Sequence, residues 1–129
     1  MPSKHQIARR FARALPVYEH HAAAQRRIAQ KLAADVQSLR RDYDCVLEIG
    51  CGSGVYTRLL QAALKAESWH INDLCSECAD NVVADVFLAG DIETLPLTAS
   101  YDLITSASAF QWLADPDALL RKLNACLKG

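Results

Sequence analysis

A chain of 129 residues, 51% hydrophobic and 22% charged, suits one globular domain with a modest core and argues against disorder. No apolar run approaches the roughly 18 residues needed to cross a bilayer, and no apolar signal segment opens the chain, so a cytoplasmic protein is expected. The net charge of −1 hides an asymmetry: residues 1–41 carry nine Lys/Arg against Glu19 and Asp35, whereas residues 42–129 carry five against thirteen Asp/Glu.

Residues 3–41 are helical in pattern. Ile7 and Phe11 make one short stripe, and Ile28, Leu32, Val36 and Leu39 make a longer one. Pro16 divides the region into two helices. Arg9, Arg10, Arg13, Arg26 and Arg27 either form their solvated faces or steer an acidic partner. An Arg-rich, acid-poor start also fits an organelle transit peptide. Residues 1–41 are therefore read as a helical arm, and 42–129 as an α/β domain.

From Cys45 short apolar runs alternate with helical segments. Cys45–Ile49 reads as a buried strand, followed by a glycine loop and a helix packing through Val55, Leu59, Leu60, Ala63 and Leu64. Trp69–Leu74 is the second strand and Val86–Ala89 the third, with a short helix over Ser76–Val83 between them. Tyr101–Ser106 is the fourth. Asp115 caps a last helix, with Pro116 in its first turn and a stripe of Leu119, Leu120, Leu123 and Leu127. Strands alternating with helices predict a parallel sheet covered by helices on its faces.

Five cysteines without a secretion signal argue for free thiols. Cys75 and Cys78 have metal-ligand spacing but lack a second pair, Cys45 and Cys51 stand six apart, and the four histidines offer no partner spacing, so no metal is expected.

The strongest chemical signal is Glu48-Ile49-Gly50-Cys51-Gly52-Ser53-Gly54, set between a strand and a helix. Glycines let a ligand lie against bare backbone, and the helix start offers unpaired N–H donors. A dinucleotide fingerprint would place its third glycine at position 55, where Val55 stands. Glu48 would repel a pyrophosphate and attract an ammonium, so the loop suits a ligand with an amino acid end. Asp73, 19 residues after Gly54, reads alone as a loop or cap residue; with the loop it reads as an acceptor for ribose hydroxyls. Gly90-Asp91-Ile92 is either a plain turn or an adenine site, Asp91 taking the amino group and Ile92 packing on the ring.

These three elements resemble the motifs of class I S-adenosylmethionine-dependent methyltransferases. More narrowly, the chain resembles the malonyl-acyl-carrier-protein O-methyltransferase (BioC) family of biotin synthesis. That likeness rests on Phe11-Ala12-Arg13-Ala14 with Tyr18, Gly90-Asp91-Ile92-Glu93 with Leu95-Pro96-Leu97, and Tyr101-Asp102-Leu103-Ile104 running into Ser106 and Phe110-Gln111-Trp112-Leu113. The resemblance implies a Rossmann-like sheet, S-adenosyl-L-methionine as cofactor and methyl transfer to the free carboxyl of a malonyl group on acyl carrier protein. The basic arm would steer that acidic carrier. No nucleic-acid or membrane partner is implied.

Carried over, Glu48 and Gly50 would hold the methionine end, with Cys51, Gly52 and Gly54 along the loop. Asp73 and Leu74 would hold the ribose side, and Asp91 with Ile92 the adenine. Ser106 and Ala107 would line the cofactor beyond the fourth strand, and Tyr18 would close over the reacting groups. Phe110 and Trp112 either cap the pocket or pack as core aromatics. The family pattern continues past the last helix with a fifth strand and further elements. The sequence, ending at Lys128-Gly129, is therefore expected to be C-terminally truncated, with an edge on its fourth strand open to self-association. The alternatives are an inactive cofactor-binding module, a methyltransferase for another small carboxylate, and an NAD oxidoreductase, against which Val55 and Glu48 argue.

Overall fold

The computed structural model describes residues 22–107 and 113–128. In chain order these form α1 (Ala22–Leu39), β1 (Asp42–Ile49), α2 (Val55–Ala63), β2 (Lys65–Asp73), a 3-10 segment (Ser76–Asn81), β3 (Val86–Ala89), β4 (Leu103–Thr105) and α3 (Pro116–Cys126). The first expected helix, with Ile7, Phe11 and Pro16, lies outside the described residues.

All strand pairings are parallel and the order is β3-β2-β1-β4. The parallel sheet expected from the alternating pattern is therefore present with four strands, as the resemblance to a Rossmann-like sheet implies. β1 is central, and Val46–Ile49 are buried throughout, as a parallel strand covered on both faces requires. The chain steps from β1 to β2 to β3 in one direction, then crosses to β4 on the far side of β1. The sheet thus has its topological switch point between β1 and β4, at whose carboxyl ends open α/β sheets bind ligands.

Side chains alternate across the pleat, so Val46 and Glu48 face one way and Leu47 and Ile49 the other. On the first face Val46 packs with Ala29, Ala33 and Val36 of α1 and with Tyr56 and Leu60 of α2. On the second, Leu47 and Ile49 pack with Ile92, Tyr101, Leu119 and Leu123. Asp115 caps α3 as expected, its side chain accepting the Ala118 N–H at 3.1 Å with Pro116 in the first turn.

Several expectations are corrected. The buried stripe of α1 is Ala29, Ala33 and Val36 with Leu32 partly covered, whereas Ile28 is 60% and Leu39 84% exposed. Two alanines one turn apart let α1 lie close to α2, which larger residues would prevent. Leu120 is exposed, and Leu127 follows α3 in extended backbone. The Ser76–Val83 helix is a 3-10 segment ending at Asn81. β1 and β2 begin three and four residues earlier than their apolar runs, since polar residues at exposed strand ends still join the ladder. β4 is shorter than expected. Tyr101 instead bridges Leu127: its N–H donates to the Cys126 carbonyl and its own carbonyl accepts the Lys128 N–H, both at 2.8 Å.

Asp102 ties the entry to this sheet. Its carboxylate accepts the Asp44 and Cys45 N–H groups at 2.8 and 2.9 Å and the Arg40 guanidinium at 3.2 Å. Desolvation raises its pKa, but the backbone N–H donors and then Arg40 outweigh that and hold it below the usual carboxylate value. Asp102→Ala is expected to destabilise the chain by about 1–3 kcal/mol, read as a lower urea midpoint. Because the folded pKa is depressed, this stability is present above the unfolded pKa and is lost as pH falls through the folded one.

Candidate functional site

The loop that leaves β1 is held in place by β2. Gly50, Gly52 and Gly54 have φ of 73°, 53° and 85°, a sequence of left-handed turns that side-chain-bearing residues rarely adopt. The Gly50 and Cys51 N–H groups donate to the Asn72 carbonyl at 2.9 and 3.0 Å. The Gly52 N–H donates to one oxygen of Asp73, while the other oxygen accepts the Cys75 N–H, both at 2.9 Å. The Asn81 amide donates to the Gly52 carbonyl at 3.0 Å, so the 3-10 segment buttresses the loop from behind. Asp73 is buried at the end of β2 with one backbone bond on each oxygen, which leaves each an acceptor position for a hydroxyl.

Glu48, on β1 just before the loop, is 1% exposed. One of its oxygens accepts a hydrogen bond from the Thr57 hydroxyl on α2; the other has no partner among the described residues. Burial pushes its pKa up to about 7, against the Thr57 bond, and the nearby Asp73 charge adds to the rise. A buried carboxyl with an unsatisfied oxygen is a costly arrangement unless a donor or cation arrives. An ammonium-bearing ligand would supply both, so the residues present fit a group with an amino acid end.

After β3 the chain turns at Gly90 (φ 132°), whose N–H donates to the Asp73 carbonyl at 2.9 Å. The Asn72 side chain donates to the Leu88 and Gly90 carbonyls at 2.8 and 3.1 Å, clamping the ends of β2 and β3 together. One Asp91 oxygen accepts the Glu93 N–H at 2.9 Å. The Ile92 side chain, expected to pack on an adenine ring, is instead buried in the α3-facing core with Leu119 and Leu123. Leu74 is half-buried beside Asp73. Beyond β4, the Ser106 hydroxyl donates to the Ile49 carbonyl at 2.8 Å, and Ala107 packs on the Val46 cluster.

The carboxyl ends of β1, β2 and β3 therefore carry Glu48, the glycine loop, Asp73 with Leu74, and the Asp91 turn. Ser106 and Ala107 stand at the end of β4. Tyr18, Phe110, Gln111 and Trp112 lie outside the described residues. Thr57, Asn72 and Asn81 join the site unannounced. The position of Thr57, on the first turn of α2 facing β1, was a readable signal; the reaches of Asn72 and Asn81 were not.

Cys51, Cys75 and Cys78 are buried together with Ile71 behind the loop, and all five thiols are free. Burial raises the Cys51 and Cys78 pKa values, so neither is poised as a nucleophile. Among the described residues no group of three or more His, Cys, Asp or Glu could hold a metal ion, and no helix is long and apolar enough to cross a membrane.

Comparison with known proteins shows the family. The malonyl-[acyl-carrier protein] O-methyltransferase of Porphyromonas gingivalis is 46% identical over 125 residues, covering 95% of this chain and 49% of the relative. That of Bacteroides fragilis is 43% identical over 136 residues, covering 97% of this chain and 27% of the relative. The chain thus spans about half the length, or less, of these curated relatives. An amino pentose methyltransferase from Micromonospora echinaspora, solved with S-adenosylmethionine bound, shares the fold at a TM-score of 0.66 and 21% identity, with 87% of this chain and 52% of that one covered. The family model described as a methyltransferase domain matches residues 47–129, and the chain belongs to that family.

Proposed function

We propose that the chain forms the S-adenosyl-L-methionine site of a methyltransferase whose acceptor is the free carboxyl of a malonyl group carried on acyl carrier protein. The observation that carries the cofactor reading is the buried Glu48 carboxyl, one oxygen of which has no partner among the described residues, two positions before a loop of left-handed glycines. Glu48 and the Gly50 backbone hold the ammonium and methionine end, with Cys51, Gly52 and Gly54 forming the floor. Asp73, braced by Gly52 and Cys75, accepts the ribose hydroxyls, and Leu74 lies alongside. Asp91 takes the adenine amino group, Ile92 supports that turn from the core, and Ser106 and Ala107 border the site beyond β4. The acceptor reading is supported by the names of the similar proteins.

When bound, the cofactor supplies an electrophilic methyl on a sulfonium. A carboxylate is already a nucleophile at neutral pH, so the protein's task is to align it in line and exclude water, with no general base required. Tyr18 closes over the reacting groups in this reading. The basic residues of 1–41 steer the acidic carrier; Arg26 and Arg27, exposed on α1, belong to that set.

Calorimetric titration with S-adenosylhomocysteine, with NAD as control, tests the cofactor site. Saturable binding of the first alone is expected, and Asp73→Ala is expected to weaken it by about 30-fold or more through the loss of charge-assisted hydroxyl bonds. A chain folded by circular dichroism that binds neither ligand, or prefers NAD, would overturn the reading. Methyl ester formation on malonyl-acyl carrier protein, absent with the unacylated carrier, tests the acceptor.

A further inference from the structure

The turn after β3 is tied to α3 by two opposed polar contacts. Within the turn, the Thr94 and Leu95 N–H groups both donate to the Asp91 carbonyl, at 3.0 and 2.9 Å. A single helical turn of this kind leaves its later carbonyls without partners from its own backbone. The Lys122 ammonium, from the middle of α3, donates to the Ile92 carbonyl at 2.8 Å and also to the Leu95 carbonyl. Contact in the other direction comes from Glu93. Its two carboxylate oxygens accept the Ala114 and Asp115 N–H groups, each at 2.8 Å, at the start of α3. A cation of the helix thus holds the end of the turn, and an anion of the turn holds the start of the helix. Between the two ties Ile92 packs among Leu119 and Leu123.

Charge-assisted bonds at both ends fix the turn more firmly than its own two backbone bonds do. Asp91 sits at the first position of that turn, with its side chain bonded to the Glu93 N–H. Any tilt of the turn therefore moves the Asp91 carboxylate. The geometry points to Lys122 and Glu93 as positioning residues for base specificity, holding Asp91 where it distinguishes an adenine amino group from a carbonyl. This rests on the cofactor reading above. Neither residue touches the ligand; both act through Asp91.

The test compares the full chain with Lys122→Met by two measurements. The first is the ratio of affinities for S-adenosylhomocysteine and S-inosylhomocysteine, in which a carbonyl replaces the amino group. The wild-type chain is expected to prefer the adenine ligand by about tenfold or more, and Lys122→Met to compress that preference to about twofold. Lys122→Arg, which keeps the charge, is expected to restore most of it. The second is amide hydrogen exchange at Thr94 and Leu95, expected to quicken about tenfold in Lys122→Met while β1 amides stay protected. Equal weakening towards both ligands with the ratio intact would make Lys122 merely structural and overturn the inference. So would unchanged exchange at Thr94 and Leu95. If the wild-type chain bound neither ligand, the cofactor reading would fail, and with it the assignment of specificity. Glu93→Gln, which loses one of the two acceptor bonds, carries the same measurements should Lys122→Met fail to fold.

Discussion

Replacing Gly54 with alanine is expected to destabilise the chain by on the order of 3 kcal/mol and to abolish cofactor binding. Gly54 has φ of +85°, a conformation that puts a Cβ too close to the following carbonyl. The larger part of the effect is a collision. A Cβ at Gly54 would lie 2.6 Å from the Asn81 carbonyl oxygen, 2.9 Å from an Arg58 guanidinium nitrogen and 3.0 Å from a Val82 methyl. Arg58 can swing away into solvent, but the Asn81 oxygen is backbone and must move with the whole 3-10 segment. That movement would also pull the Asn81 amide off the Gly52 carbonyl, so the loop loses its buttress as the strain enters.

Gly90→Ala provides the control. Its φ of +132° is also unfavourable for alanine, but the nearest atoms to a Cβ there belong to the Leu95 side chain, at 3.4 Å or more. It is expected to lower the urea midpoint by less than Gly54→Ala does. Equal midpoints for the two variants would show that the approach of Asn81 to Gly54 is not what makes glycine necessary.

The contrast between these glycines marks what was legible in the sequence. The spacing of Gly50, Gly52 and Gly54 between a strand and a helix was readable, because local backbone geometry demands glycine wherever φ is positive. The third strand and the Asp115-Pro116 helix start were readable for the same reason: each is decided by residues adjacent in the chain. The face of α1 was not. Ile28 and Leu39 are the more hydrophobic residues, yet the close approach to α2 selects Ala29 and Ala33, and closeness depends on what lies opposite. The supports of the site were hidden likewise. Asn81 reaches back 29 residues to Gly52, and Lys122 reaches back 30 to Ile92. Neither distance leaves a trace in hydrophobic period or turn composition.

Glu48 is where local pattern and tertiary setting meet, and it yields the second large effect. The carboxyl lies on the face of β1 that α2 covers, with the Thr57 hydroxyl bonded to one oxygen, Asp73 the nearby like charge, and Tyr56 and Cys51 close enough to feel its own charge. Desolvation dominates and lifts the pKa from an ordinary 4.5 to about 7. Between those values the folded chain keeps a proton that the unfolded chain has released. Stability therefore falls as pH rises from about 4.5 to 7, by about 3 kcal/mol across the window, and levels off above it. The slope is opposite to that of Asp102, whose stabilisation disappears on the acid side, so the two separate on one pH series. Glu48→Gln, which cannot ionise, is expected to remove the neutral-range slope and leave the acid one.

Ligand binding should reverse the preference of Glu48 for its proton. An ammonium beside the unpartnered oxygen favours the carboxylate, so binding below about pH 7 must release a proton and affinity must rise with pH up to that point. Calorimetric titration with S-adenosylhomocysteine at pH 6, in two buffers of different ionisation enthalpy, would report that proton directly. Glu48→Gln is expected to bind about tenfold to a hundredfold more weakly at pH 7.5 and with no proton release at pH 6. A wild-type affinity that is flat from pH 5.5 to 8, with Glu48→Gln still weakened, would mean that Glu48 is ionised before the ligand arrives and still receives the ammonium. A flat affinity with Glu48→Gln binding as tightly as wild type would mean that the ammonium end of the cofactor has another receptor.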